Sequence, residues 1–114
     1  MGKVMAREFN KLVLVKSVAA TSSEVETFTP AAKFNVAGFF GEAAFDPLCE
    51  VQLVWDHGGA NELLWVIKGS GKIPFGLERT GNGVKKLAIV LNNRLANSVF
   101  MAGYCSVEHE VVEE

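Results

Sequence analysis

CEVQLVWDHGGANELLWVIKGSG, residues 49 to 71, decides the fold. Cys49, Val51, Leu53 and Trp55 alternate with Glu50, Gln52 and Asp56. A period of two is that of a half-buried strand, whose successive side chains point to opposite faces. Gly58-Gly59 then turns the chain, Leu63, Trp65 and Ile67 return along one face, and Gly69-Ser70-Gly71 turns it again. Two such runs separated by a short Gly-containing loop predict antiparallel neighbours.

The same rhythm continues in both directions. Downstream, Ile73, Phe75 and Leu77 alternate with Lys72 and Glu78, and Asn82-Gly83 is the strongest hairpin signal in the chain. Leu87, Ile89 and Leu91 form the next run, ended by Asn92-Asn93. Val99, Met101, Cys105 and Val107 form a last long one with Gly103 in line. Upstream, Lys11 to Val18, Glu24 to Thr29 and Phe34 to Glu42 read as strands. Ala19-Ala20 and Ala43-Ala44 are too short to make helices, and β-branched residues and Gly interrupt the rest. The expectation is an all-β fold, an antiparallel β-sandwich of seven to eight strands, of jelly-roll or Greek-key type.

With 114 residues the chain predicts one domain over 1–114, burying roughly 65% of its unfolded surface. Residues 1–9 read as a short N-terminal arm and 108–114 as an acidic end. Eleven basic against thirteen acidic residues give a net charge of −2, which argues against a nucleic-acid partner. The charge is polarised: Lys3, Arg7, Lys11 and Lys16 lie near one end, and Glu108, Glu110, Glu113 and Glu114 at the other. The ends can therefore attract within one chain or between neighbours. No apolar run reaches the ~20 residues of a membrane helix, and no signal-peptide core opens the sequence. The expectation is a soluble cytoplasmic chain with no membrane partner.

EVQLV at 50–54 also starts many antibody heavy-chain variable domains. An immunoglobulin domain, however, needs an early Cys, then a core Trp, then a second Cys with Tyr two residues before it. Here EVQLV follows Cys49, and Gly103 stands two residues before Cys105. That reading is excluded.

Little in the sequence points to chemistry. Cys49 and Cys105 fall on inward positions, where an inter-sheet disulfide is geometrically possible, but in a chain without an export signal two free, buried thiols are the favoured reading. GSGK at 69–72 lacks the first Gly and the Ser or Thr of a phosphate loop, since Val66 and Ile73 stand there. His57 and His109 are isolated, no CxxC or HxxxH exists, and no elbow motif surrounds a Ser. The expectation is a non-enzyme with no metal and no cofactor. The alternative is a carbohydrate or small-ligand module using the turn at Asp56, His57, Asn61 and Glu62. Trp55 and Trp65, which would serve it as stacking platforms, fall in register with the core and are assigned to the interior.

The positions opposite the core set are partly apolar too: Val54, Leu64, Val66, Ala88, Val90, Phe100, Ala102 and Tyr104. A solvated sheet face is normally polar, so several strands read as covered on both sides. In FNVAGFFGEAAF, 34–45, Phe39 and Phe40 must point to opposite faces. The candidate interface is Phe39, Phe40, Phe100 and Tyr104, with the charged ends as its rim.

From KLVLV at 11–15 through SVFMAGYCSVEHEV at 98–111, the architecture and composition resemble the small β-sandwich accessory proteins of tailed-phage virions, such as head decoration or tail components. The resemblance carries no diagnostic motif. It implies symmetric self-association into a homo-oligomer, with a trimer favoured, docking onto a larger assembly such as a capsid or tail. It also implies no catalysis and a place on the virion after assembly in the host cytoplasm.

Overall fold

The computed structural model describes residues 3–42, 48–68, 71–73 and 76–113. Among them are nine strands: β1 (Lys3–Val18), β2 (Ser23–Phe28), β3 (Lys33–Glu42), β4 (Cys49–Trp55), β5 (Glu62–Lys68), β6 (Gly71–Ile73), β7 (Leu77–Thr80), β8 (Leu87–Asn93) and β9 (Val99–Glu113). They form two antiparallel sheets. Sheet A runs β1-β9-β3-β6, with β7 also on β3, and sheet B runs β2-β8-β4-β5. The chain passes from sheet to sheet at every connection except β4–β5 and β6–β7, which is the jelly-roll arrangement of an all-β sandwich.

The alternating residues of 49–55 and 87–91 are the core. Cys49, Val51, Leu53, Trp55, Leu87, Ile89 and Leu91 are buried in sheet B. They face Leu12, Val18, Phe34, Val36, Phe39, Met101, Cys105 and Val107 of sheet A. Phe34 and Trp55 meet across the layers with ring centroids 4.8 Å apart. Gly41 and Gly103 stand opposite each other on adjacent strands of sheet A. A Cβ on Gly41 would lie 2.9 Å from Val51 Cβ, and one on Gly103 would lie 2.5 Å from Ile89 Cγ2. The two glycines therefore let the sheets close on each other at the middle of the core.

The buried Asn93, 1% exposed, fixes the end of the sandwich. Its amide donates to the carbonyls of Val18 (3.1 Å), Ala19 (3.2 Å) and Asn97 (2.9 Å). Its oxygen accepts from the Leu95 N–H (2.9 Å) and the Cys49 thiol (3.7 Å). One side chain thus holds the β1–β2 turn and the β8–β9 connection together.

Three sequence expectations change. Residues 3–9, read as an arm, continue β1, whose backbone pairs with β9 along its whole length. Sixteen residues at about 3.3 Å each span about 53 Å, and the molecule is 52 Å long. That pairing sets Lys3 opposite Glu113 and Arg7 opposite Glu110 in backbone register. Asn82-Gly83 makes a tight turn but no hairpin. Asn82 Oδ1 accepts the amides of Val84 and Lys85, both at 2.9 Å, Gly83 has φ +78°, and its N–H reaches Pro30 O at 3.0 Å. The turn carries the chain from β7 in sheet A to β8 in sheet B. The single run expected over 72–78 is two short strands, β6 and β7, both on β3; Gly69, Ser70 and Phe75 lie outside the described residues.

Candidate functional site

Alternation and register place each predicted contact residue. The rows of sheet A pair Val36 with Val107, Phe39 with Cys105 and Gly41 with Gly103 on the inner side; they pair Phe40 with Tyr104 and Glu42 with Ala102 on the outer side. Phe39 is therefore in the core, 2% exposed, because its row, shared with the buried Cys105, points into the cluster between the sheets. It is corrected from interface to core residue. Phe40, Phe100 and Tyr104 lie on the outer face, where β1 adds Phe9, Val13 and Val15. Val13, Tyr104 and Phe40 form one row across three strands. Phe9 and Phe100 are each 67% exposed, Val15 54%, Val13 50% and Phe40 37%. Five large apolar side chains open to solvent on one sheet face make a patch of the kind that marks an interaction surface.

The outer face of sheet B differs. Val54, Ala88 and Val90 are buried there as a small second cluster. Beside it Glu50, 6% exposed, accepts from Gln52 Nε2 (3.0 Å) and lies near Arg94 Nη1 (3.5 Å) and Lys68 Nζ (3.9 Å). This carboxylate is neutralised by its own neighbours.

The turn expected to hold a ligand spends its polar groups on itself. Asp56 O accepts the amides of Gly59 (2.9 Å) and Asn61 (3.0 Å), and Asp56 Oδ2 accepts that of Ala60 (3.0 Å). Asn61 Oδ1 accepts the Gly58 N–H (2.8 Å), and its amide donates to Gly59 O (3.1 Å). Asp56 and Asn61 both adopt positive φ, 58° and 53°, which their side-chain bonds support. His57 takes part through its backbone, donating to Lys86 O at 3.0 Å. Glu62 is bidentate with Arg79 (Oε1–Nε 3.1 Å, Oε2–Nη2 2.5 Å), and this hydrogen-bonded partner holds its carboxyl below the usual carboxylate range. Trp55 is buried as expected, but Trp65 is 49% exposed. It sits in the Leu53 row on the edge strand β5, where an inward direction does not guarantee cover. Leu63, set opposite Val54 by a bulge in β5, lies on the outer face and is 53% exposed, while Leu64 packs against the core. Among the described residues no group of three or more His, Cys, Asp or Glu is placed to hold a metal.

Neither cysteine is in a disulfide, and both are buried. They belong to different sheets, in rows on opposite sides of the Gly41–Gly103 pair, so they do not meet. Burial pushes the Cys105 thiol up to about 12. Its folded pKa lies above the unfolded one, so the associated stability is intact below about pH 9 and is lost as pH rises from there toward 12. We expect neither thiol to react with Ellman's reagent in the native protein, and both to react in denaturant. Rapid native labelling would show that the rows open.

One feature escaped the sequence reading: the seam between β1 and β2, the free edges of the two sheets. Lys16 and Glu24 close it near the turn at 2.7 Å. Farther along, the strands part around a groove of about 300 Å³ lined by Asn10, Lys11, Leu12, Val13, Glu26, Thr27 and Phe28. The signal was present as lysines on one strand and glutamates on the next. Only the fold shows that both strands are edges on the same side.

No protein-family model matches the sequence, and no curated protein matches it. Among solved structures, the chain is similar in fold to a protein described in the work "Bacillus endospore appendages form a novel family of disulfide-linked pili". The TM-score is 0.59 at 9% identity, over 92% of this chain and 88% of that one. A second, weaker likeness is to the dimeric latent PorU of Porphyromonas gingivalis, with TM-score 0.46 and 10% identity, over 94% of this chain and 13% of that one. At these identities the first likeness shows the fold, an all-β sandwich that also occurs in a structural protein, and the second carries no argument.

Proposed function

We propose that this chain is a non-catalytic structural subunit that assembles with copies of itself. The observation that carries the reading is the outer face of sheet A, where Phe9, Val13, Val15, Phe40 and Phe100 stand open on adjoining strands. Each exposed side chain of this size costs about 1.5–3 kcal/mol relative to full burial, so covering the face stabilises any assembly that does so, by mass action. The finer form of the proposal is a virion accessory protein, formed in the host cytoplasm and docked on a capsid or tail as a closed oligomer. Composition and architecture support that form. The likeness to a pilus subunit supports self-association without favouring a phage source. Should chains of this fold form a polymer, its links are non-covalent as far as Cys49 and Cys105 are concerned, because both thiols are buried.

Phe40→Asp and Phe100→Asp test the reading. Each places a charge on the exposed face without touching the core, so circular dichroism and melting should match the parent while association through this face is lost and the native mass falls. An unchanged native mass in both variants would refute the role given to this face.

A further inference from the structure

The two sheets have free edges on both sides of the sandwich, and the two seams are finished differently. On one side the edge strands β6 and β7 are three and four residues long, and the Glu62–Arg79 pair ties β5 to β7. On the other side β1, sixteen residues long, pairs only with β9 among the described residues, and β2 pairs only with β8. A long unprotected edge is a template for another strand. The Lys11 N–H is taken by the side chain of Asn10 at 3.1 Å and so points off the sheet. By the alternation of an antiparallel ladder, the amides of Val13, Val15 and Ser17 point the same way.

Lys16 meets Glu24, and Leu12 shares the groove with Phe28, so β2 runs back along β1. A twofold axis along the strands therefore brings β1 of one copy beside β2 of another, antiparallel and at matching heights. We propose that this seam is closed by the same seam of a second copy, β1 against β2 and β2 against β1, so that each sheet continues into the other layer of its partner. The proposal rests on the reading of the chain as a self-associating subunit and specifies its unit as a dimer.

Charge favours this pairing over the others. Lys16 of β1 and Glu24 of β2 lie at one height on the inner side, so the pairing sets opposite charges together, whereas β1 against β1 would set lysines against lysines. On the outer side the pairing sets Val25, 41% exposed, beside Val13 and Val15, 50% and 54% exposed. Such β-branched neighbours across strands are favourable.

The test uses two charge-reversed proteins, Lys11→Glu/Lys16→Glu and Glu24→Lys/Glu26→Lys, with circular dichroism to confirm folding. If either double variant unfolds, Lys16→Glu and Glu24→Lys replace them. By light scattering at a dilution where only its smallest oligomer remains, the parent should show twice the chain mass, each variant alone the single mass, and their equimolar mixture twice the mass again. Pairing within one chain cannot be rescued by mixing, so a mixture that stays single would overturn the proposal. A parent of three chains would overturn it too. Variants that keep the parent's oligomeric mass on their own would overturn the seam while leaving self-association standing. A parent of single mass at every concentration would overturn both.

Discussion

Asn93→Ala should lower the stability of the folded chain by about 3–5 kcal/mol, which for a domain of this size is a fall in Tm of more than about 10 °C. The side chain meets the carbonyls of Val18, Ala19 and Asn97 and also the Leu95 amide. Truncation leaves these backbone groups with no partner where the residue was 1% exposed. Each buried polar group so orphaned costs about 1–3 kcal/mol. Asn93→Asp should be worse, since a carboxylate would face three carbonyl oxygens. Thermal or urea unfolding followed by circular dichroism checks both. A Tm within a few degrees of the parent would mean that water enters the site and replaces the amide.

The second large effect belongs to Gly103. A Cβ there would stand 2.5 Å from Ile89 Cγ2 and 3.2 Å from Val51 Cγ1, both on the opposite sheet. Neither neighbour can withdraw, because Val51 and Ile89 are themselves fully buried. Gly103→Val therefore pushes the sheets apart at their closest point and should cost about 3 kcal/mol or more, with Gly103→Ala at about 1–3. Gly38 is the control. It lies in β3, three residues from Gly41, and a Cβ on it would meet nothing within 4 Å. Gly38→Ala should leave the melting temperature unchanged or slightly raised. If Gly103→Ala melts like Gly38→Ala, the close approach described for the core is wrong.

What the sequence made legible is what depends on neighbours along the chain. A period of two identified the inward residues of β4, β8 and β9 without error, because a strand has only two faces. It also required that Phe39 and Phe40 part, but not which of them faces out. That depends on the register of β3 against β9, and the small residues Gly41 and Gly103 set it by fitting under Val51. Edge position was not legible, for it is a property of the whole sheet. Trp65 obeys the inward pattern and is nonetheless half-exposed, since β5 has a neighbour on one side only. Asn82-Gly83 shows the same limit: the turn is local chemistry, but whether the chain then pairs with β7 or crosses to the other sheet is decided by long-range packing. The candidate interface was legible through Phe40, Phe100 and Tyr104, whose outward direction follows from alternation. The β1–β2 groove was not, because the strands that border it belong to different sheets and are not paired by their backbones.

Self-association is the central claim, and the native mass of the purified chain across a hundredfold dilution tests it most directly. The account predicts a species heavier than the 12.3 kDa chain, a dimer as its smallest form, that persists into the dilute range. A mass of one chain at every concentration would contradict it, and would mean that Phe9, Val13, Val15, Phe40 and Phe100 stand open for a different partner.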